Sequence, residues 1–233
     1  MLTLRKSEER GHFDHGWLNT YHTFSFADYY DPRFEHYGHL RVINEDFVQP
    51  GMGFGTHSHR NMEIVTFILQ GALEHKDSMG NTSVIRKGDV QRMSAGLGVK
   101  HSEFNPSDKE PVHLLQIWIL PDAHNIAPEY EQKAFDDEGK RNGLRLIVSP
   151  DGRSGSVTMH QDALLFDCLL TKDRKIGIDL HSGRMGWLQI MGGSVKAEGV
   201  RLEAGDGGAV NSPGIQIEAE KDASFLFFDL KQV

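Results

Sequence analysis

The chain has 233 residues and a mass of 26.2 kDa, enough for one large all-β domain or two smaller ones with a substantial core. Its net charge of −8 and pI near 5.9 exclude nucleic acid as a default partner, because a phosphate backbone needs a basic face. A single cysteine, Cys168, rules out an intrachain disulfide and, within the apolar run 164–170, reads as a buried thiol in a reducing compartment.

The opening residues turn charged before a leader-like apolar stretch can form, and no later segment approaches the length of a membrane span. Both features point to a cytoplasmic protein. His12, His15, His22, His36 and His39 crowd the first forty residues without tight same-face spacing, and no role follows for them. Phe24, Phe26, Tyr29 and Tyr30 fit core packing better than a ligand pocket. Next come Gly51-Met52-Gly53-Phe54-Gly55 and then Thr56-His57-Ser58-His59, a glycine-rich approach to an H-x-H pair. The run 62–69 is short, apolar and rich in β-branched residues, as a strand should be, and Asp77-Ser78-Met79-Gly80-Asn81 reads as a hairpin turn. A second glycine-rich approach, Ser94-Ala95-Gly96-Leu97-Gly98, precedes His101-Ser102-Glu103. Strand 113–120 follows, with Gln116 and Trp118 sharing one face. Pro121 opens a polar stretch to Asp137 that reads as a linker, and a boundary is expected within it, giving units 1–135 and 136–233.

The second unit repeats the first. Ile68-Leu69-Gln70-Gly71 and the later Gly88-Asp89 have counterparts in Ile190-Met191-Gly192-Gly193 and Gly205-Asp206. Repetition of one β unit implies two related barrels. Only the first carries paired ligands, since His160 and His181 stand alone. In extended backbone, residues i and i+2 point the same way, so His57 with His59 and His101 with Glu103 form two pincers. Together they offer three imidazoles and one carboxylate to a single divalent first-row transition metal, leaving room for substrate or dioxygen.

The same residues carry a resemblance. Gly51 through His59 to Glu63, and Gly88 through Gly96 to His101 and Asn105, resemble the two cupin signatures. Gly16-Trp17-Leu18, the run from His22 to Pro32, Leu40-Arg41-Val42-Ile43-Asn44, and Ser94 through Asn105 are similar to the pirin pattern across nearly the whole chain. That resemblance implies an all-β bicupin of two packed jelly-roll β-barrels, with one metal held in the first by His57, His59, His101 and Glu103. Many cupins take their carboxylate from the position of Glu63, which would share the face of His57 and His59 if the strand ran unbroken. Glu63 is therefore expected near the metal, supporting a ligand or a water and sharing with Glu103 the role of proton acceptor.

The implied activity is opening of the heterocyclic ring of flavonols such as quercetin by dioxygen, with release of carbon monoxide. The alternative is a redox-responsive regulator that meets a protein partner through its metal barrel, and a weaker one is a metal-free sugar-binding or scaffold cupin. Iron is favoured as cofactor, with zinc, manganese, cobalt, nickel and copper also compatible with the ligands. A monomer is expected, because each barrel can cover the other's exposed sheet, and no membrane partner is expected.

Overall fold

The computed structural model describes residues 2–233. Its first half contains β1 (Leu2–Arg5), β2 (Gly11–Asp14), β3 (Leu18–His22), β4 (Leu40–Val48), β5 (Gly53–His59), β6 (Glu63–Gln70), β7 (Ala72–Asp77), β8 (Thr82–Arg86), β9 (Asp89–Ser94), β10 (Val99–Phe104), β11 (Val112–Ile119) and β12 (Glu129–Ala134). Strands β2 to β12 form a jelly-roll barrel from two sheets, ordered β12-β9-β6-β11-β4-β3-β2 and β5-β10-β7-β8. The second half contributes β13 (Arg145–Ser149), β14 (Val157–Thr158), β15 (Ala163–Leu170), β16 (Lys175–Asp179), β17 (Arg184–Gly192), β18 (Ser194–Ala197), β19 (Val200–Glu203), β20 (Gly207–Val210), β21 (Gly214–Ala219) and β22 (Ala223–Lys231). Its sheets run β1-β20-β17-β22-β15-β13-β14 and β16-β21-β18-β19, so the chain forms the expected pair of barrels.

The repeat is visible in the backbone. Gly71 and Gly193 both turn with positive φ (80° and 72°) after matching strands, and Gly88 and Gly205 do so (91° and 85°) before matching Asp residues. A Cβ at Gly193 would collide with the carbonyl of Asp222, so glycine is required there for space as well as for conformation.

The two seven-stranded sheets pack on each other. Ile43, Val65, Phe67, Leu115, Ile117 and Ile119 meet Ile147, Leu165, Trp187, Leu226, Phe228 and Leu230 in one buried cluster across the seam. These strands are therefore buried on both faces, which is why 62–69 and 113–120 read as continuous apolar runs rather than alternating ones. Two features of the seam escape the sequence. Strand β1 crosses over to pair with β20, Leu2 opposite Val210, while buried Arg5 reaches back to the carbonyl of Thr23 and the Tyr29 hydroxyl. Strand β12 lies in the segment read as a linker and pairs with β9, with Tyr130 bonded to Ser83 on one face and Glu131 bonded to Thr158 of the second barrel on the other.

Lys140 and Asp167 form an ion pair at 3.0 Å beside this seam, both almost fully buried. Removing one partner of such a pair strands the other charge in a low-dielectric site. Asp167→Ala leaves Lys140 only the exposed carboxylate of Asp137 at 3.3 Å and is expected to cost about 3 kcal/mol of unfolding free energy. Urea unfolding of Asp167→Ala beside an Asp167→Leu/Lys140→Met double variant checks the cause, because the double variant should recover most of the loss.

Alternation gives the first barrel an interior of a different kind. One end is apolar, with Leu18, Val48, Ile68, Leu73, Ile85, Val112 and Leu114, and so is the other, with Ile64, Met93, Ala95 and Val99. Between them a polar row crosses five strands in register: His22 beside Asn44, Asn44 beside Gln116, Gln116 beside Thr66, Thr66 beside Gln91. The second barrel is filled instead by apolar side chains such as Leu188, Ile190, Val195, Ile217, Phe225 and Phe227. The polar row faces the strands that carry the histidine pairs.

Candidate metal centre

Strand register brings the two pincers together. His101 on β10 lies opposite His57 on β5, and Val99 lies opposite His59. Between His101 and Glu103 the register slips, because β5 carries an extra residue there. Such a bulge re-aims side chains beside a site. Gly53 makes the close approach possible, since a Cβ at that position would collide with the Glu103 carbonyl oxygen. Gly53→Ala is expected to cost about 1–3 kcal/mol of stability through overpacking and to weaken metal binding by displacing Glu103. Denaturant unfolding and metal titration of the variant check both effects.

The three imidazoles converge. Ring centroids of His57, His59 and His101 lie 4.4 to 4.9 Å apart, and Nε2 of His57 is 2.9 Å from Nε2 of His101. With Nδ1 of His57 donating to the carbonyl of Gly55 at 2.9 Å, its Nε2 carries the lone pair. Nδ1 of His101 is buried with no partner among the described residues. An N···N distance of 2.9 Å is the span of two nitrogen donors set about 90° apart, as in octahedral geometry, on one ion with bonds of about 2.1 Å. A divalent cation therefore fits this set. Burial, reinforced by neighbouring imidazoles, depresses the affinity for protons, to about 4 for His59 and about 3 for His101. Both are neutral at physiological pH, the form that binds metal.

Glu103 is 2% exposed and held from the facing sheet, with Gln116 Nε2 donating to Oε2 at 3.1 Å and the Thr66 hydroxyl 3.4 Å from Oε1. Burial, aided by the charge of Asp46, pushes its carboxyl up to about 7 against those two bonds. A cavity of about 240 Å³ opens beside it, lined by His57, His59 and Glu103, by Asn44, Asp46 and Gln116 of the polar row and its neighbour, and by Phe26, Phe54 and Trp118.

Donor atoms within 4.8 Å of one another form two triads, His57/His59/His101 and His75/His101/Glu103. Hydrogen bonds separate their roles. Nε2 of His75 is 3.1 Å from Asp77 Oδ2 and its Nδ1 is 3.2 Å from Gln91 Nε2, so both ring nitrogens are engaged. His75 packs behind His101, ring to ring at 5.3 Å. In the sequence His75 is marked only by the i, i+2 spacing of His75-Lys76-Asp77, which it shares with the pincers.

Glu63 is not brought to this cavity. Strand β5 ends at His59 and β6 begins at Glu63, so the unbroken strand that would align them does not exist. Thr66 on β6 faces Glu103, and Glu63, an odd number of residues away, faces the opposite way. Its carboxylate accepts from the Ser94 hydroxyl at 2.8 Å and the His160 amide at 3.3 Å, at the seam between barrels. Of the N-terminal aromatics, Phe26 lines the cavity, Phe24 packs on Trp187 at the seam, Tyr29 bonds Arg5 and Tyr30 is exposed. Trp118 and Gln116 do reach the cavity.

A family model described as Pirin matches residues 3–119, and one described as the quercetinase C-terminal cupin domain matches residues 146–230. The chain is 47% identical to a quercetin 2,3-dioxygenase of Escherichia coli (strain K12), covering 100% of both. The chain belongs to the pirin family. The crystal structure of YhhW from Escherichia coli superposes on this pirin with a TM-score of 0.97 at 47% identity, covering 100% of this chain and 99% of that one. A nickel(II) complex of the bacterial pirin YhhW superposes with a TM-score of 0.95 at 46% identity, covering 100% of both chains. Among the described residues of this pirin, no helix is long and apolar enough to cross a membrane.

Proposed function

We propose that this pirin is a metal-dependent quercetin 2,3-dioxygenase of the cytoplasm, acting as a monomer on a flavonol and dioxygen. The observation that carries the reading is the convergence of three imidazoles beside a buried, proton-seeking carboxylate at the wall of an aromatic cavity. His57, His59 and His101 would hold the ion with Glu103 completing the set, in the unit read as residues 1–135, which lends β1 to the sheet of the partner unit 136–233. Iron is the favoured metal, and nitrogen-rich ligation with one carboxylate also suits nickel, the ion named in the YhhW complex. A bound divalent ion would supply positive charge that favours the deprotonated 3-hydroxyl of a flavonol and its reaction with dioxygen.

The protein's own groups do the rest. Glu103 is placed to accept the 3-hydroxyl proton, and Gln116 and Thr66 hold its carboxyl in position. Phe26, Phe54 and Trp118 exclude water from the reacting ring. Both oxygen atoms enter the product, the heterocycle opens to a depside, and carbon monoxide leaves. This geometry favours small-substrate chemistry over redox-responsive partner binding, because the acid and the aromatic cavity serve a ligand inside the barrel rather than a surface. Anaerobic purification without an affinity tag, then elemental analysis and a quercetin turnover assay on the same sample, tests the reading. About one metal per chain with dioxygen-dependent carbon monoxide release supports it; a metal-loaded sample that leaves quercetin untouched removes it.

A further inference from the structure

Two side chains of the metal cavity are neither offered to the ion nor bonded to those that are. Asn44 and Asp46 stand two residues apart on β4, so both enter the barrel from the sheet that faces the histidine pairs. They are 5% and 4% exposed, and Oδ1 of each lacks a donor among the described residues. Buried acceptors are nearly always bonded, and leaving one unmet is costly. Thr20, across from Asp46 and bonded to its carboxylate, still leaves Oδ1 unmet, and the neighbours of Asn44 do no better. Across from Asn44, Gln116 spends its amide on Glu103, and His22 on the other side leaves its own Nδ1 unmet.

The rest of the wall is aromatic. Phe26 and Trp118 meet edge to face, centroids 5.2 Å apart, and Phe54 joins them in lining the cavity. Its volume of about 240 Å³ lies below the roughly 300 Å³ at which pockets for drug-sized ligands begin, so a fused-ring ligand would enter by part of its ring system. A ring held among those aromatics presents its substituents to β4, where the waiting groups are acceptors. Ether and carbonyl oxygens cannot satisfy an acceptor; a phenolic O–H can.

We propose that Asn44 and Asp46 are specificity-determining residues that accept hydrogen bonds from ring hydroxyls, so that this pirin selects polyhydroxylated flavonols over bare ones. The inference rests on the flavonol reading above. A site built to bond a hydroxyl rejects the analogue lacking it, because the buried acceptors are left unpaired after their water has been displaced.

Quercetin and 3-hydroxyflavone separate the two ideas, since both keep the 3-hydroxyl and 4-carbonyl and differ only in the other hydroxyls. Their binding to metal-loaded protein is measured by calorimetry under nitrogen, so that no turnover intervenes. Quercetin is expected to bind at least about tenfold more tightly to the wild type. Asn44→Leu should shrink that ratio by about three- to tenfold, and Asn44→Leu with Asp46→Leu should bring it near one. Asp46→Asn, which keeps an acceptor oxygen, should hold the ratio within about twofold. Metal stoichiometry and thermal melting of each variant report folding, and Asn44→Ala repeats the test with a smaller replacement that accepts no hydrogen bond. Equal affinity of the wild type for both compounds, or an undiminished ratio in the Asn44 variants, overturns the inference and leaves the flavonol reading standing. Failure of both compounds to bind the wild type overturns the two together.

Discussion

Replacing His101 by alanine is expected to abolish stoichiometric metal binding and, with it, quercetin-dependent carbon monoxide release. His101 is the shared member of both triads, lies opposite His57 in the β5–β10 ladder and brings its Nε2 to 2.9 Å from that of His57. Without it, the remaining imidazoles both come from β5 and nothing on β10 but Glu103 faces them. Groups that only support a ligand typically cost 10–100-fold in metal affinity when removed. Loss of a ligand should exceed that range, so affinity is expected to fall more than about 100-fold in His101→Ala. His75→Ala provides the contrast. With both its nitrogens turned to Asp77 and Gln91, His75 supports His101 by packing, and its removal should fall within the about 10–100-fold range. Competition titration with a chromophoric chelator, run on metal-free protein of each variant, measures both. A His101→Ala protein that still takes up one metal per chain at wild-type affinity would remove the histidine triad as the site.

The difference between these two histidines also marks what a sequence can disclose. Strand parity is local: it needs only two residues and an extended backbone, so His57 with His59 and His101 with Glu103 were legible as same-face pairs. Their meeting depends on register between β5 and β10, including the bulge that re-aims Glu103, and the glycines on either side hinted only that the backbone bends there. Glu63 failed for a related reason. Parity was carried across residues 60–62, where the strand ends, and the new strand starts with the opposite face inward. Asn44, Gln116, Thr66 and Gln91 each look unremarkable within their own strands. They become a row only when β4, β11, β6 and β9 are set side by side. The apolar runs themselves announced strands buried on both faces, and the repeated glycines announced two barrels. Strand β12 was hidden because an edge strand between two barrels can be polar on both faces, with Tyr130 and Gln132 bonded inward and Glu131 and Lys133 bonded to Thr158 and Ser156 of the other barrel.

Glu103 is expected to contribute a pH dependence to metal uptake. With burial holding its carboxyl up to about 7 in the metal-free protein, Glu103 is roughly nine-tenths protonated at pH 6 and must release that proton before its carboxylate can meet a cation. His59, at about 4, and His101, at about 3, are already neutral there and release nothing. Glu103 should therefore raise apparent affinity about tenfold per pH unit up to about 7 and no further above it, contributing close to one released proton per metal at pH 6 and about half of one at pH 7. Calorimetry in buffers of differing ionisation enthalpy counts those protons directly. Glu103→Gln keeps the shape and a hydrogen-bonding oxygen for Gln116, yet has no proton to lose and no charge to give. Its proton release should fall by that contribution, and turnover of quercetin by the metal-loaded variant should drop by about 10²–10⁴, the usual contribution of a positioned proton acceptor. Unchanged proton release in Glu103→Gln would assign the titration to another group, and among the cavity residues Asp46, pushed up to about 6 by its own burial, is the next to examine. The two carboxyls are separable because only Glu103 shares a triad with His101.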